Sequence, residues 1–437
     1  MKPNWCSEHL LLLLVGSSVE AVVWRKSAGH IAAPVSSEAG FWVCKNGNAS
    51  RSGAAGFKSE VKLTEPVWRF KEEGHQIEAT PVIDENFTTY VVSCAGRLHA
   101  ILRNGTVAWT KQLNGRGMTP MLQGGLLYVG SAGAVACKIE AFTGKTVWCF
   151  KYAQNAGGDA WTTTVAGDVV IVAADDARTS GGNLRVVGLS EKDGSTLWSF
   201  KPRSFFWNLM PSVVGDAFYF SDSAGGLYLL GLADGKLRWE MSGQPHSQCT
   251  GGSILGPNGM LYASSNTEGM QHGHLRALNL ETGLETWHQR FPVEASAAPA
   301  VGRVGQRLVV LEGAGENPGM TFPVWKEHNG SLVCFDATTG EKLWEFTAPS
   351  YRNFACAGYS LAIRESLPDT WSNPAIDAAG NVYIGWSGGW AFHLDGMTGK
   401  PVSQYYLGSA FQGAPALAPG LVIFPSINEV VAFGGLQ

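Results

Sequence analysis

Gly273-His-Leu-Arg-Ala-Leu-Asn-Leu-Glu-Thr-Gly-Leu-Glu-Thr-Trp287 is the stretch whose reading decides the fold. A partly alternating apolar run ends at Thr282-Gly283, and a tryptophan follows four residues after the glycine. Glycine supplies the positive φ that a tight hairpin demands. The stretch therefore reads as two antiparallel strands joined by a short turn, with one large flat ring just inside the second.

The same pairing recurs along the chain: Gly105 with Trp109, Gly144 with Trp148, Gly194 with Trp198, Gly235 with Trp239, and Gly340 with Trp344. Trp68, in Pro66-Val-Trp-Arg-Phe70, carries the ring without the glycine, and Gly399 opens a late copy in which Ser403 stands where the ring is expected. The successive tryptophans 68, 109, 148, 198, 239, 287 and 344 lie 39 to 57 residues apart. That spacing is the period of a four-stranded propeller blade, lengthened where loops are inserted. A helical repeat of similar period fails on Leu126-Leu-Tyr-Val129, Val169-Val-Ile-Val172, Ala217-Phe-Tyr-Phe220 and Asn381-Val-Tyr-Ile384, which are β-rich runs bounded by Gly, Asp or Asn.

The expected fold is all-β: an eight-bladed β-propeller of four-stranded antiparallel blades, with seven blades as the alternative. Trp68, Trp109, Trp148, Trp198, Trp239, Trp287 and Trp344 are expected to dock between neighbouring blades, each burying on the order of 200 Å². The last blade is short of a strand, and the N-terminal strand holding Val67 to Phe70 is expected to complete it and close the ring. Residues 1–21 read as a signal or targeting segment, with the apolar run Leu10 to Val15. Residues 22–61 form a lead-in and 62–437 the propeller.

Composition narrows the function classes. The 437 residues are 45% hydrophobic and 16% charged with a net charge of −4, which gives no electrostatic reason to expect nucleic acid or anionic lipid as a partner. No stretch reaches the length of apolar residues that a spanning helix needs. The eight cysteines form no C-x-x-C and no adjacent pair, so neither a zinc site nor a redox motif is written in their spacing. Cys137, Cys149 and Cys334 lie in apolar strand patterns and are expected to pack as thiols. No nucleophile elbow or phosphate-binding glycine loop occurs.

Ser331-Leu-Val-Cys-Phe-Asp-Ala-Thr-Thr-Gly-Glu-Lys-Leu-Trp-Glu-Phe346, with the 273–287 stretch, resembles the pyrroloquinoline-quinone (PQQ) repeat of quinoprotein-like propellers. The resemblance covers about residues 62–435. Upstream, Trp42-Val-Cys-Lys-Asn-Gly-Asn-Ala-Ser-Arg-Ser-Gly53 is similar to the Trp, Gly-Asn, Arg-x-Gly lead-in of such propellers. The family holds PQQ-dependent dehydrogenases as well as cofactor-free scaffolds, so the repeat alone names no activity. The adjacent cysteines that often accompany the cofactor are missing here, and the family's calcium ligands and catalytic Asp fall on no motif of this chain.

Where chemistry would sit follows from aligning the inner strands on Pro81, Pro120, Thr164, Pro211, Ser253, Pro299, Pro374 and Pro415. Three positions earlier come Glu78, Gly117, Trp161, Asn208, Thr250, Ser296, Trp371 and Gln412, the expected lining of one funnel mouth. Glu78, Trp161, Asn208, Thr250, Trp371 and Gln412 suit a flat polar ligand stacked on an indole, while a wet, ligand-free channel explains the same polarity. Glu312, Glu316 and Asn317 are weighed as oxygen ligands for Ca²⁺, and His272 and His274 as zinc ligands. Solvated turns are the simpler reading of both groups, as of Asp175, Asp176 and Arg178, and no metal site is assigned. The functional expectation is a non-catalytic scaffold that binds proteins or peptides. A PQQ- and calcium-dependent oxidoreductase, with the cofactor near Trp161 or Trp371, is the alternative, and a sugar- or small-ligand-binding propeller is the third reading. A secreted or periplasm-like location follows if the N-terminal segment is a signal.

Overall fold

The computed structural model describes residues 40–157, 161–175, 182–243, 252–267, 271–316, 326–353, 355–359 and 369–434. All regular structure among them is strand. Eight four-stranded antiparallel sheets form a ring, an eight-bladed β-propeller. Blades 1 to 7 take residues 82–112, 121–151, 164–200, 212–241, 253–291, 300–347 and 375–406. Blade 8 takes 416–434 and receives Trp68–Phe70 as its outermost strand, paired Trp68 to Ala432 and Phe70 to Val430. The N-terminal strand thus closes the ring and leaves blade 8 no open outer edge. No helix of the described residues is long and apolar enough to cross a membrane.

The repeat works as a dock between blades. A Cβ built on Gly144 would lie 2.8 Å from the Trp109 ring, and one on Gly340 2.7 Å from Trp287, so the turn glycines of blades 2 and 6 lie against the rings of blades 1 and 5. Both glycines also have φ near +70° (+70° and +75°), so the turn and the close approach each require them. In five of the seven docks the indole Nε1 also donates to the carbonyl three residues before the glycine, as in Trp109 to Ala141 at 3.0 Å, Trp198 to Leu232 at 2.8 Å and Trp344 to Gly396 at 2.7 Å, whereas Trp68 and Trp239 make no such bond among the described residues. Ser403 falls in blade 7, and its successor, blade 8, has its outermost strand supplied from the N-terminus and so has no corresponding hairpin. The segment leading to Trp68 crosses there instead, with the Leu63 amide donating to Ser403 Oγ at 2.8 Å and the Val61 amide to Tyr383 Oη at 3.0 Å. A ring at position 403 would have no turn to dock on.

One cysteine expectation is corrected. Cys137 and Cys149 form a disulfide, with Cα atoms 4.1 Å apart. They lie opposite one another on the third and outermost strands of blade 2, a pairing that the hairpin register sets and linear spacing does not reveal. Cys334 remains a buried thiol.

Candidate functional site

The channel is where eight inner strands converge, and one end of it is filled by the chain's own lead-in. Successive carbonyls of residues 42–53 accept main-chain hydrogen bonds from the inner strands in turn: Trp42 from Ile83, Val43 from Leu122, Ala49 from Val213, Ser50 from Leu255, Ser52 from Val301 and Gly53 from Ile376, at 2.7–3.1 Å. These donors occupy one register position in six blades. Arg51, with no solvent exposure, serves the gap between them: Nε donates to Pro211 O, Nη1 to Lys45 O and Nη2 to Thr164 Oγ1. Asn46, also fully buried, donates to Arg51 O and accepts from Asn373 at 2.7 Å. Sequence reasoning treated this segment as a lead-in. Its closely spaced glycines beside Asn and Arg were the available signal of a chain folded inside a wall.

The mouth ring lies five residues back along each inner strand, about 16 Å from the plug contacts at the usual strand rise. The strand pairings keep seven of the eight aligned positions and move one. In blade 3, Ile171 pairs with Thr164, whereas its counterpart in blade 4, Tyr219, pairs with Ser212. Thr163, not Thr164, is therefore the counterpart of Pro211, and Trp161 lies one position off the ring. Blade 3 has no proline there, and the run Thr162-Thr163-Thr164 offers no landmark. Trp161 and Trp371 are 0% and 2% exposed, so neither presents an indole face to a ligand. Trp161 packs over Gly130 of blade 2 and Trp371 over Gly313 of blade 6. Their indole nitrogens donate to Gly157 O and Ala314 O.

Glu78 is buried, ion-paired with Arg116 and within 3.9 Å of Cys94 Sγ. Asn208 and Gln412 are half-buried, and Gln412 Oε1 has no hydrogen-bond partner among the described residues. Ser296 accepts from Asn266 at 3.1 Å, and Asn266 in turn accepts the Ala295 amide at 2.8 Å. Thr250 lies outside the described residues, as do Asn317, Asp176 and Arg178. Between mouth and plug, the polar wall is occupied in joining blades. Thr80 Oγ1 accepts from Ala414, Thr119 Oγ1 from Thr80, Thr119 O from Thr163, and Asn373 Oδ1 from Ala298.

Three further expectations change. Glu312 is not in a solvated turn: it lies within the strand Arg307–Gly315 and has no exposure. Its counterparts in the other blades are Val91, Val129, Val172, Phe220, Ala263, Ile384 and Phe424, all buried and apolar. Ser264 donates to Glu312 Oε2 at 2.6 Å while Oε1 has no partner, and burial pushes the carboxyl well above its ordinary range. Asp175 is buried as well, its amide bonded to Asn155 O. His272 and His274 belong to the strand His272–Asn279 rather than a turn. His274 Nδ1 lies 2.6 Å from His288 Nε2, and Thr267 Oγ1 lies 2.8 Å from its other nitrogen. Among the described residues no group of three or more His, Cys, Asp or Glu is arranged to hold a metal ion.

Burial, His288, Arg276, Arg290 and His272 together hold the His274 imidazole down at about 4, with Glu285 facing His288 from 3.8 Å as the nearby carboxylate. An unfolded histidine titrates near 6.5. The unfolded state therefore binds the extra proton first, and stability falls as pH drops from about 7 towards 4. The expected loss from this group is at most about 3 kcal/mol. Urea midpoints taken at pH 7.5 and 5.0 will differ in wild type, and the difference will shrink in His274→Asn. An unchanged difference would place the acid sensitivity elsewhere.

A closed eight-bladed ring with glycine-docked tryptophans and a plugged channel defines the class of protein as an eight-bladed β-propeller. Residues 95–247, about a third of the chain, match the family model described as outer membrane protein assembly factor BamB. The chain is 27% identical over 245 residues to BamB of Burkholderia pseudomallei (strain K96243), covering 54% of this chain and 58% of that protein. It is 32% identical over 89 residues to a lanthanide-dependent methanol dehydrogenase of Methylacidiphilum fumariolicum (strain SolV), covering 20% and 12%. The matches thus span less than two thirds of either relative. A europium-containing methanol dehydrogenase shares the fold with TM-score 0.67 at 15% identity, covering 91% of this chain and 98% of that one.

Proposed function

We propose that this propeller is a non-catalytic scaffold that presents its faces to protein or peptide partners in an oxidising compartment outside the cytoplasm. The observation that carries the reading is the state of the channel. Residues 42–53 and Arg51 fill one end, and the threonine and asparagine side chains of the wall are engaged between blades. A channel so occupied works as a rigid hub, and its loops are left for recognition. The longer of the two sequence matches, to an outer membrane protein assembly factor, points the same way. The Cys137–Cys149 bridge supports the compartment, because disulfides persist where thiols are not kept reduced.

The oxidoreductase alternative keeps the methanol dehydrogenase similarity in its favour. The burial of both candidate indoles supports the scaffold reading over it. No step through PQQ is derived for this chain. Titration of the full chain with PQQ, with and without Ca²⁺, is expected to give no saturable tryptophan quenching at tens of micromolar. Saturable, calcium-dependent quenching would overturn the scaffold reading in favour of the oxidoreductase, and a dye-linked dehydrogenase assay would follow.

A further inference from the structure

The plug contacts six inner strands through one register position, and blade 3 is passed over. Its equivalent residue is Val165, whose amide points only at the thioether of Met121, 3.2 Å away, a weak acceptor. The reason is local. Between Val43, bonded to blade 2, and Ala49, bonded to blade 4, the plug doubles back: Val43 N donates to Gly47 O and Gly47 N to Cys44 O, with Asn46 and Gly47 at positive φ. Val43 and Ala49, which flank this turn, line a cavity of about 740 Å³ together with Val165–Val169 of blade 3.

The floor of that cavity is apolar, formed by Val43, Ala49, Leu122, Val165 and Val213. Its rim carries three carboxylates, Asp168, Asp216 and Asp234, against one guanidinium, Arg238. Arg238 is committed to Asp216 through two bonds of 2.7 Å, and Asp234 pairs with Lys236 at 3.2 Å. Asp168 makes no ion pair among the described residues and is exposed. The cavity thus combines an apolar floor, an inner-strand edge without a main-chain partner and a net acidic rim.

We propose that the slot under blade 3 binds an extended peptide segment of a partner protein, with aliphatic side chains on the floor, the main chain pairing with Val165, and lysine or arginine beside Asp168. Strand addition to an open edge gives affinity, and the pockets on either side give specificity. The cavity lies in the size range of sites that enclose a few residues. The proposal rests on the scaffold reading and names the class of partner.

The test uses the full chain and an amidated, fluorescein-labelled Leu-Val-Leu-Lys-Lys probe in fluorescence polarisation, with Leu-Val-Leu-Glu-Glu as the counterpart. The basic probe is expected to bind with Kd on the order of tens of micromolar and the acidic one at least tenfold more weakly. Asp168→Lys, an exposed substitution, is expected to weaken the basic probe at least tenfold. Ala166→Trp, which fills the slot, should abolish binding, with melting curves as the folding control for both variants. Equal binding of the two probes, no binding of either, or binding indifferent to Asp168→Lys would overturn the proposal. Binding seen only in a chain beginning at Gly40 would assign the slot to the protein's own N-terminal segment, and would overturn it too. PQQ binding is read in a separate titration, so loss of the scaffold reading and loss of the peptide site give different results.

Discussion

A chain that begins at residue 72 is expected to lose the cooperative fold, whereas one that begins at residue 40 keeps it. The longer deletion removes the outermost strand of blade 8, the Trp68 ring that packs on Gly105, and the plug. Six main-chain hydrogen bonds from the plug, at about 1 kcal/mol each, and one docked tryptophan, at about 3–5 kcal/mol, come to about 10 kcal/mol. Whole domains hold only about 5–15 kcal/mol. Blade 8 would also expose the edge of Val430–Gly434, a buried apolar strand open to pairing with another chain. Size-exclusion chromatography and urea unfolding followed by tryptophan fluorescence check this. A monodisperse monomer with a single sharp transition from the 72–437 chain would show that closure is not what holds the ring.

The second large effect is expected at the blade 1 to blade 2 dock. Trp109→Ala should cost about 3–4 kcal/mol, because it leaves a ring-sized void and deprives Ala141 O of its indole donor. Gly144→Ala should cost at least about 2 kcal/mol, since the residue sits at φ +70° and the new Cβ would meet the ring at 2.8 Å. In the double variant the clash is gone and only the backbone cost of Gly144→Ala remains. The two losses should therefore fall short of additivity by about 1 kcal/mol or more. Strict additivity in a urea-denaturation cycle would mean that the glycine serves the turn alone.

Different parts of the molecule were legible to different degrees. The repeat announced itself because the turn and the dock both demand a residue without Cβ, and a large ring must stand at a fixed offset from it. Ser403 looked like a degenerate copy, and is instead the mark of the place where the chain is cut. Blade 3 slipped by one position because three consecutive threonines replace the proline landmark. Glu312 read as a turn residue because glycines surround it, while strand pairing buries it in a row otherwise apolar. His274 and His288 are 14 residues apart in sequence, and only the register of blade 5 brings their nitrogens to 2.6 Å.

The sequence by itself determined the blade and pointed to the strand that closes the ring, since period, turn glycines and docking rings are local demands repeated at fixed spacing, while the sheet topology decided for eight blades over seven. Only the tertiary structure decided what fills the channel, which wall side chains are used up between blades, and that blade 3 alone among the first seven is passed over by the plug's main chain. Those outcomes depend on contacts between residues more than a hundred positions apart, such as Arg51 with Thr164 and Pro211, and no local pattern encodes which partners a buried polar group will find once the ring has closed.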